Sequence, residues 1–176
     1  MKGRLENGVA LWSGDKNLSD NDRLLYNPSV SGDGKFIACV EYKVKGGSSL
    51  VVLDAVDGSV IRTVDAPEGL QLVETAWIGE NVYATGLSEA GYGIYSINDR
   101  CESILEAQPV LMKDFGSYGN ELMFTCDRTG VNELYHLDPS TGAMKQKTVT
   151  RYGASDFAYS GDYLYYSSQT PKGMAV

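Results

Sequence analysis

The chain has 176 residues, 43% hydrophobic and 22% charged, which is enough for a real core and too apolar for a disordered segment. Its formal net charge of −8 argues against unspecific nucleic-acid binding, which needs a basic footprint to displace counterions. No apolar run reaches the roughly 18 residues that span a bilayer, so membrane insertion is not expected, and Val9-Ala10-Leu11-Trp12 is too short for the apolar core of a signal peptide.

Helical periodicity is nearly absent along the chain; short apolar runs alternate with turns rich in Gly, Asp or Asn, the pattern of an antiparallel meander. Asn7 to Ser13 reads as the last strand of a preceding unit. The acidic stretch from Asp15 to Asp22 lacks the spacing, the Gly and the final Glu of an EF-hand loop, and it reads as turn chemistry. Four segments of one layout follow, beginning at Pro28, Glu74, Asp114 and Asp156. Aligned without gaps, their first apolar residues after the turn are Phe36, Val82, Leu122 and Leu164, 46, 40 and 42 residues apart. A repeat of about 40–45 residues is that of a four-stranded propeller blade.

Each repeat then continues alike. A Gly-containing turn leads to a third strand at Leu50–Asp54, Gly93–Ile97 and Glu133–Leu137. A second turn leads to a short fourth strand at Val60–Val64, Glu102–Leu105 and Met144–Thr148. The reading is all-β, with consecutive four-stranded antiparallel blades over 24–66, 67–108, 109–150 and, in part, 151–176, after an N-terminal strand in 1–23. The unfinished last unit reads as part of a larger propeller, whose open strand edges would offer a route to self-association.

Pro28-Ser29-Val30-Ser31-Gly32-Asp33-Gly34-Lys35-Phe36-Ile37-Ala38, followed by Leu50–Asp54 and Asp57-Gly58, resembles the TolB-like propeller repeat, a relative of the WD-repeat blade. The third repeat follows it with Leu134–Asp138 and Thr141-Gly142. The second and fourth lack the Asp-Gly-Lys turn, and the family's Trp in the first strand is Val30 here. The resemblance covers about residues 24 to 176. It implies a β-propeller fold, an extracytoplasmic location in the bacterial envelope, and kinship with the propellers attached to serine peptidases of the prolyl oligopeptidase and tricorn types.

Chemistry-bearing sets are sparse. The single histidine, His136, would have to be the base of any hydrolytic triad; it lies on an alternating strand opposite Tyr135 and Leu137 and reads as structural or solvent-facing. No Gly-x-Ser-x-Gly elbow or phosphate-binding loop occurs. Cys39, Cys101 and Cys126 are too few and too scattered for a zinc site or a disulfide framework, and Cys39 and Cys126 read as buried thiols. No metal or cofactor is expected.

One constellation remains. Glu74, Asp114 and Asp156 share one position in the repeat with Pro28, and first strands of propeller blades line the central channel. Three carboxylates there would form an acidic ring able to hold a cation or a basic peptide. Val30, Ala76, Gly116 and Ala158, two residues on, suit crowding near the axis, and Trp77 and Tyr159 read as blade-to-blade packing. The expected function is a non-catalytic scaffold or binding module for protein or peptide ligands. The alternative is the substrate-gating propeller of a larger serine peptidase, and a sugar-lyase propeller is disfavoured by the shortage of histidine.

Overall fold

In the computed structural model, which describes residues 11–19 and 23–175, the chain is all-β with no helix among the described residues. A hairpin of β1 (Trp12–Ser13) and β2 (Lys16–Asn17) precedes three four-stranded antiparallel meanders. The first comprises β3 (Leu25–Val30), β4 (Phe36–Tyr42), β5 (Ser48–Asp54) and β6 (Val60–Asp65). The second comprises β7 (Gln71–Ile78), β8 (Asn81–Ser88), β9 (Gly91–Ile97) and β10 (Cys101–Gln108). The third comprises β11 (Met112–Tyr118), β12 (Glu121–Cys126), β13 (Glu133–Leu137) and β14 (Met144–Gln146). A three-stranded sheet of β15 (Ala154–Ser160), β16 (Tyr163–Thr170) and β17 (Gly173–Ala175) ends the described chain.

In every sheet the strands lie in chain order, and the first strands β3, β7, β11 and β15 pack successively beside one another. These are blades of a β-propeller, four-stranded three times and three-stranded in the last. Of the expected strand at Asn7–Ser13, Trp12 and Ser13 form β1 of the β1–β2 hairpin, and Asn7–Ala10 lie outside the described residues.

Strand alternation builds the core. Successive side chains on a strand point to opposite faces, so each central strand feeds two clusters. Ala38, Val40, Leu50 and Val52 face the second blade and meet Leu72, Val82, Ala84 and Ile97. The intervening Cys39, Val51 and Leu53 face the other way, where Leu11 and Leu18 of the N-terminal hairpin cover them together with Leu25. In the second blade Tyr83 and Ile94 point forward to Leu122, Phe124, Tyr135 and Leu137 of the third. The central strands of the four-stranded blades are therefore buried on both faces, as the near-continuous apolar run Leu50–Leu53 demands.

Polar side chains fix the crossings from one blade to the next. The Leu72 N–H donates to Ser48 Oγ at 2.8 Å, pinning the start of β7 to the start of β5. At the third blade's exit the buried carboxylate of Glu133 accepts from Thr148 Oγ1 (2.5 Å), the Thr150 N–H (2.6 Å) and Thr150 Oγ1 (2.9 Å). Three donors on one carboxyl group satisfy oxygens that would otherwise be costly to bury.

The third and fourth blades are joined through His136. Its ring is only 2% exposed, and Nδ1 lies 2.6 Å from Glu121 Oε2 while Nε2 lies 2.8 Å from the Tyr159 hydroxyl. A neutral ring donates from Nδ1 to the carboxylate and accepts from the tyrosine at Nε2. Tyr159 in turn stacks on Tyr118 with centroids 4.0 Å apart. Burial holds the His136 pKa below its ordinary value, against the raising effect of Glu121, and the His136 hydrogen bond holds Glu121 below the usual carboxylate range.

Two outcomes follow from this packing. Gly91 has φ +109°, and a Cβ there would lie 1.9 Å from the Gln108 carbonyl oxygen, whereas Gly119 has φ +58° and open space around it. Gly91→Ala should lower stability by on the order of 1–3 kcal/mol more than Gly119→Ala, read by urea unfolding. For His136, a folded-state pKa below the unfolded one contributes stability that is complete above pH ~6.5 and is lost as pH falls through the folded value. The wild type should therefore lose thermal stability on acidification from about pH 6.5, and His136→Gln should flatten that slope without changing the trend above pH 7. Equal slopes in the two proteins would show that His136 does not titrate with unfolding.

Candidate functional site

The inner strands share one backbone device. Each first strand breaks register with its neighbour through a bulge, between Tyr26 and Ser29, Leu72 and Thr75, Lys113 and Gly116, and Ser155 and Ala158. Asn27, Asp114 and Asp156 sit in these bulges in the left-handed region, with φ of 50°, 54° and 50°. Short polar side chains tolerate that region because they can bond locally. Glu74, with a longer side chain, occupies its bulge without a positive φ.

Facing fixes which residues correspond. Leu25, Leu72, Met112 and Ala154 are all buried, and two residues beyond each stand Asn27, Glu74, Asp114 and Asp156. The structure thus brings Glu74, Asp114 and Asp156 to one repeat position. The fourth member is Asn27, which corrects the expectation of Pro28. The cause is the Asp-Gly-Lys turn. Ser29 pairs with Ala38 across the first hairpin, whereas Ala76 pairs with Tyr83, Gly116 with Met123 and Ala158 with Tyr165. The first hairpin is thus two residues longer, and a gap-free alignment slips by one on each side of it. The apolar residue matching Val82, Leu122 and Leu164 is Ile37, one after Phe36.

The electrostatics are graded around this row. Glu74 is half-buried; its Oε2 accepts from the Phe115 N–H at 3.3 Å, and its own N–H donates to Thr85 Oγ1 at 3.1 Å. Burial raises the Glu74 pKa, and the neighbouring Asp114 charge raises it further. Asp114 accepts from Thr125 Oγ1 at 2.9 Å, Thr125 being the counterpart of Thr85. Asp156 is exposed and accepts from Ser155 Oγ at 2.9 Å. Asn27 donates to the Val73 carbonyl at 2.7 Å. Among the described residues no three His, Cys, Asp or Glu side chains gather as ion ligands. The row is a run of acidic side chains along the inner face, with Glu74 and Asp114 electrostatically coupled.

Elsewhere the sequence-level candidates fall into structural places. His136 is buried between blades, and Tyr159, whose hydroxyl is bonded to it, is itself held under Tyr118. Trp77 reaches back to the first blade, its Nε1 donating to the Ser29 carbonyl at 3.1 Å. The three cysteines are unpaired; burial pushes the Cys39 thiol up to about 12 and Cys101 to about 11, so neither supplies a thiolate nucleophile near neutral pH. The Asp15–Asp22 stretch is described only in part: Asp15 to Ser19 form the β1–β2 hairpin and its exit, and Asp20 to Asp22 lie outside the described residues. Sequence reasoning missed two features. One is Asn27, signalled by an Asn two residues beyond a buried Leu. The other is a cavity between the first two blades, bordered by Arg62 and Trp77, which no motif announces.

No family model matches the chain, and no curated protein matches it. Solved structures do. TolB from Acinetobacter baumannii superposes with a TM-score of 0.69 at 18% identity, over 89% of this chain and 40% of that one. A puromycin hydrolase superposes with a TM-score of 0.68 at 15% identity, over 90% and 27%. A chain of the mitotic checkpoint complex gives 0.63 at 16%, over 93% and 53%. This chain therefore spans less than two thirds of the length of each. At such identities the likeness speaks to fold, and together with the four successive meanders it shows an all-β chain of β-propeller blades.

Proposed function

We propose that the chain is a non-catalytic binding module whose ligand is a basic segment of a protein or peptide, held along the inner strands. The observation that carries this reading is the coincidence of Glu74, Asp114 and Asp156 at one repeat position, with Glu74 half-buried and its pKa raised beside Asp114. A carboxylate whose ionisation is disfavoured by burial and by a neighbouring carboxylate, as at Glu74, gains from an incoming cation. Lys or Arg side chains on an extended segment would supply one cation per blade. The net charge of −8 would steer such a segment inward at low salt. An extracytoplasmic location fits the TolB-like resemblance of the first repeat and belongs to the same proposal.

A second reading is favoured by the likeness to the puromycin hydrolase. In it the blades form the substrate-gating part of a larger serine peptidase, and the catalytic groups belong to other parts of the protein. A hydrolase domain encoded beside this segment would select it.

The binding reading is tested by calorimetry with a Lys-rich and an Asp-rich peptide of equal length, and with calcium. Wild-type protein should bind the basic peptide with an affinity that falls as salt rises. Replacing Glu74, Asp114 and Asp156 by Gln, Asn and Asn should weaken it at least about tenfold, about 1.4 kcal/mol. Equal affinity in the two proteins, or no binding to either, would remove the acidic row from the account.

A further inference from the structure

Between the first and second blades lies a cavity of about 750 Å³, within the range of small-molecule sites. Its wall is largely apolar, from Phe36, Val52, Ile61 and Trp77, with Arg62 on one side and Glu80 at the second blade's first turn. Arg62 stands on β6 opposite Val52. Its Nη2 makes only a long contact, 3.5 Å, to the Ile97 carbonyl of the second blade, and its Nε is buried with no partner. A buried guanidinium N–H left unpaired costs the desolvation of that group.

The other blade junctions show why space arises here. The residue of the third strand that faces the next blade is Val52, Ser96 and His136 in turn, opposite Ala38, Tyr83 and Met123 on the second strand. At the third junction His136 meets Tyr159 and closes the gap. At the second, the Tyr83 ring enters the apolar cluster between the blades. At the first, Ala38 and Val52 are both short. Trp77, the counterpart of Tyr159, is drawn away by its bond to the Ser29 carbonyl.

We propose that this cavity binds an apolar carboxylate: an aromatic or branched aliphatic group carrying a single carboxyl. Arg62 stands in the lining, and its guanidinium N–H groups match a carboxylate. The aromatic and aliphatic walls take the apolar body. The charge balance selects a monoanion. Arg62 is the cation in the lining, and Asp33 and Glu80, which also line the cavity, repel further negative charge. A phosphate dianion would have one cation and two nearby carboxylates. The carboxylate could belong to a free organic acid or to the last residue of a peptide; the recognition chemistry is shared. The site is separate from the acidic row and does not depend on it.

Only two tryptophans are present, and Trp12 is exposed, so Trp12→Phe leaves Trp77 as the sole indole reporter. In that background 3-phenylpropionate should change Trp77 fluorescence saturably, with Kd at or below about 1 mM. Its amide should bind at least about tenfold more weakly. An acetylated tetrapeptide ending in a free Phe carboxylate is the second arm. Tighter binding of the tetrapeptide identifies a chain terminus as the ligand's source, and tighter binding of the small acid identifies a free acid. Arg62→Gln should remove the preference for acid over amide. Val52→Phe, which fills the cavity with Arg62 intact, should abolish binding of the preferred arm, so a folding defect in one variant leaves the other decisive. Replacing Glu74, Asp114 and Asp156 should leave the signal unchanged. No saturable response to either arm, or equal affinity for acid and amide, would overturn the proposal.

Discussion

The structure depends on burial of both faces of the central strands in the three four-stranded blades. A four-stranded meander with an apolar run such as Leu50–Leu53 has no solvent face to offer, so it is stable only between neighbours. The first blade meets this demand unequally. Its forward face is closed by Leu72, Val82, Ala84 and Ile97 of the second blade, and its other face by Leu11 and Leu18 of a two-residue-per-strand hairpin together with Leu25. The hairpin is anchored where it touches: Lys16 Nζ donates to the Val56 carbonyl, and a Cβ at Gly58 would lie 1.9 Å from the Leu18 carbonyl oxygen. Stability in such an array is a sum of blade terms and junction terms. Each junction must therefore be solved by its own side chains, even though the backbone repeats.

The junctions are solved with different chemistry on one template. The equivalent positions on the two sides of the gap are Val52 and Trp77, then Ser96 and Ser117, then His136 and Tyr159. The last is polar and fully satisfied: Glu121, His136 and Tyr159 form one chain of hydrogen bonds, and Tyr118 stacks on its end. The middle one is small on both sides, with Tyr83 supplying bulk and Ser117 Oγ donating to the Trp77 carbonyl. The first leaves a cavity bordered by a guanidinium with an unpaired N–H. A repeat fold can hold a ligand site at one junction while its equivalents serve packing, because the backbone does not distinguish them.

Much of this architecture was legible in the sequence. Alternation placed the third strands within about two residues, and opposite facing of His136 against Tyr135 and Leu137 holds in the structure because strand parity is a local property. The acidic position was legible at Glu74, Asp114 and Asp156 because those three repeats share one hairpin length. It failed at Pro28 because the first hairpin carries two extra residues, and parity along a strand is lost on counting through a turn of different length. The left-handed bulge was visible only in residue type: Asn and Asp adopt it, and Glu does not. The cavity was illegible, since it arises from two short residues, Ala38 and Val52, that any strand core would accept, and from a tryptophan turned aside by a distant carbonyl.

That contrast bears on how function could reside in such a chain. Residues along the inner strands are tied to the repeat, because the bulge that displays them is set by backbone geometry shared by all four sheets. A side chain there acts in concert with its equivalents, and the natural partner is an elongated one that meets several blades. Residues between blades escape this coupling. Val52, Arg62 and Trp77 belong to two different sheets, and a change in any of them alters one gap and leaves the other junctions as they were. The inner row therefore suits an extended, charged partner, and the first junction suits a compact one. The two sites use different chemistry, a row of carboxylates along the inner strands and a guanidinium set against apolar walls at the first junction.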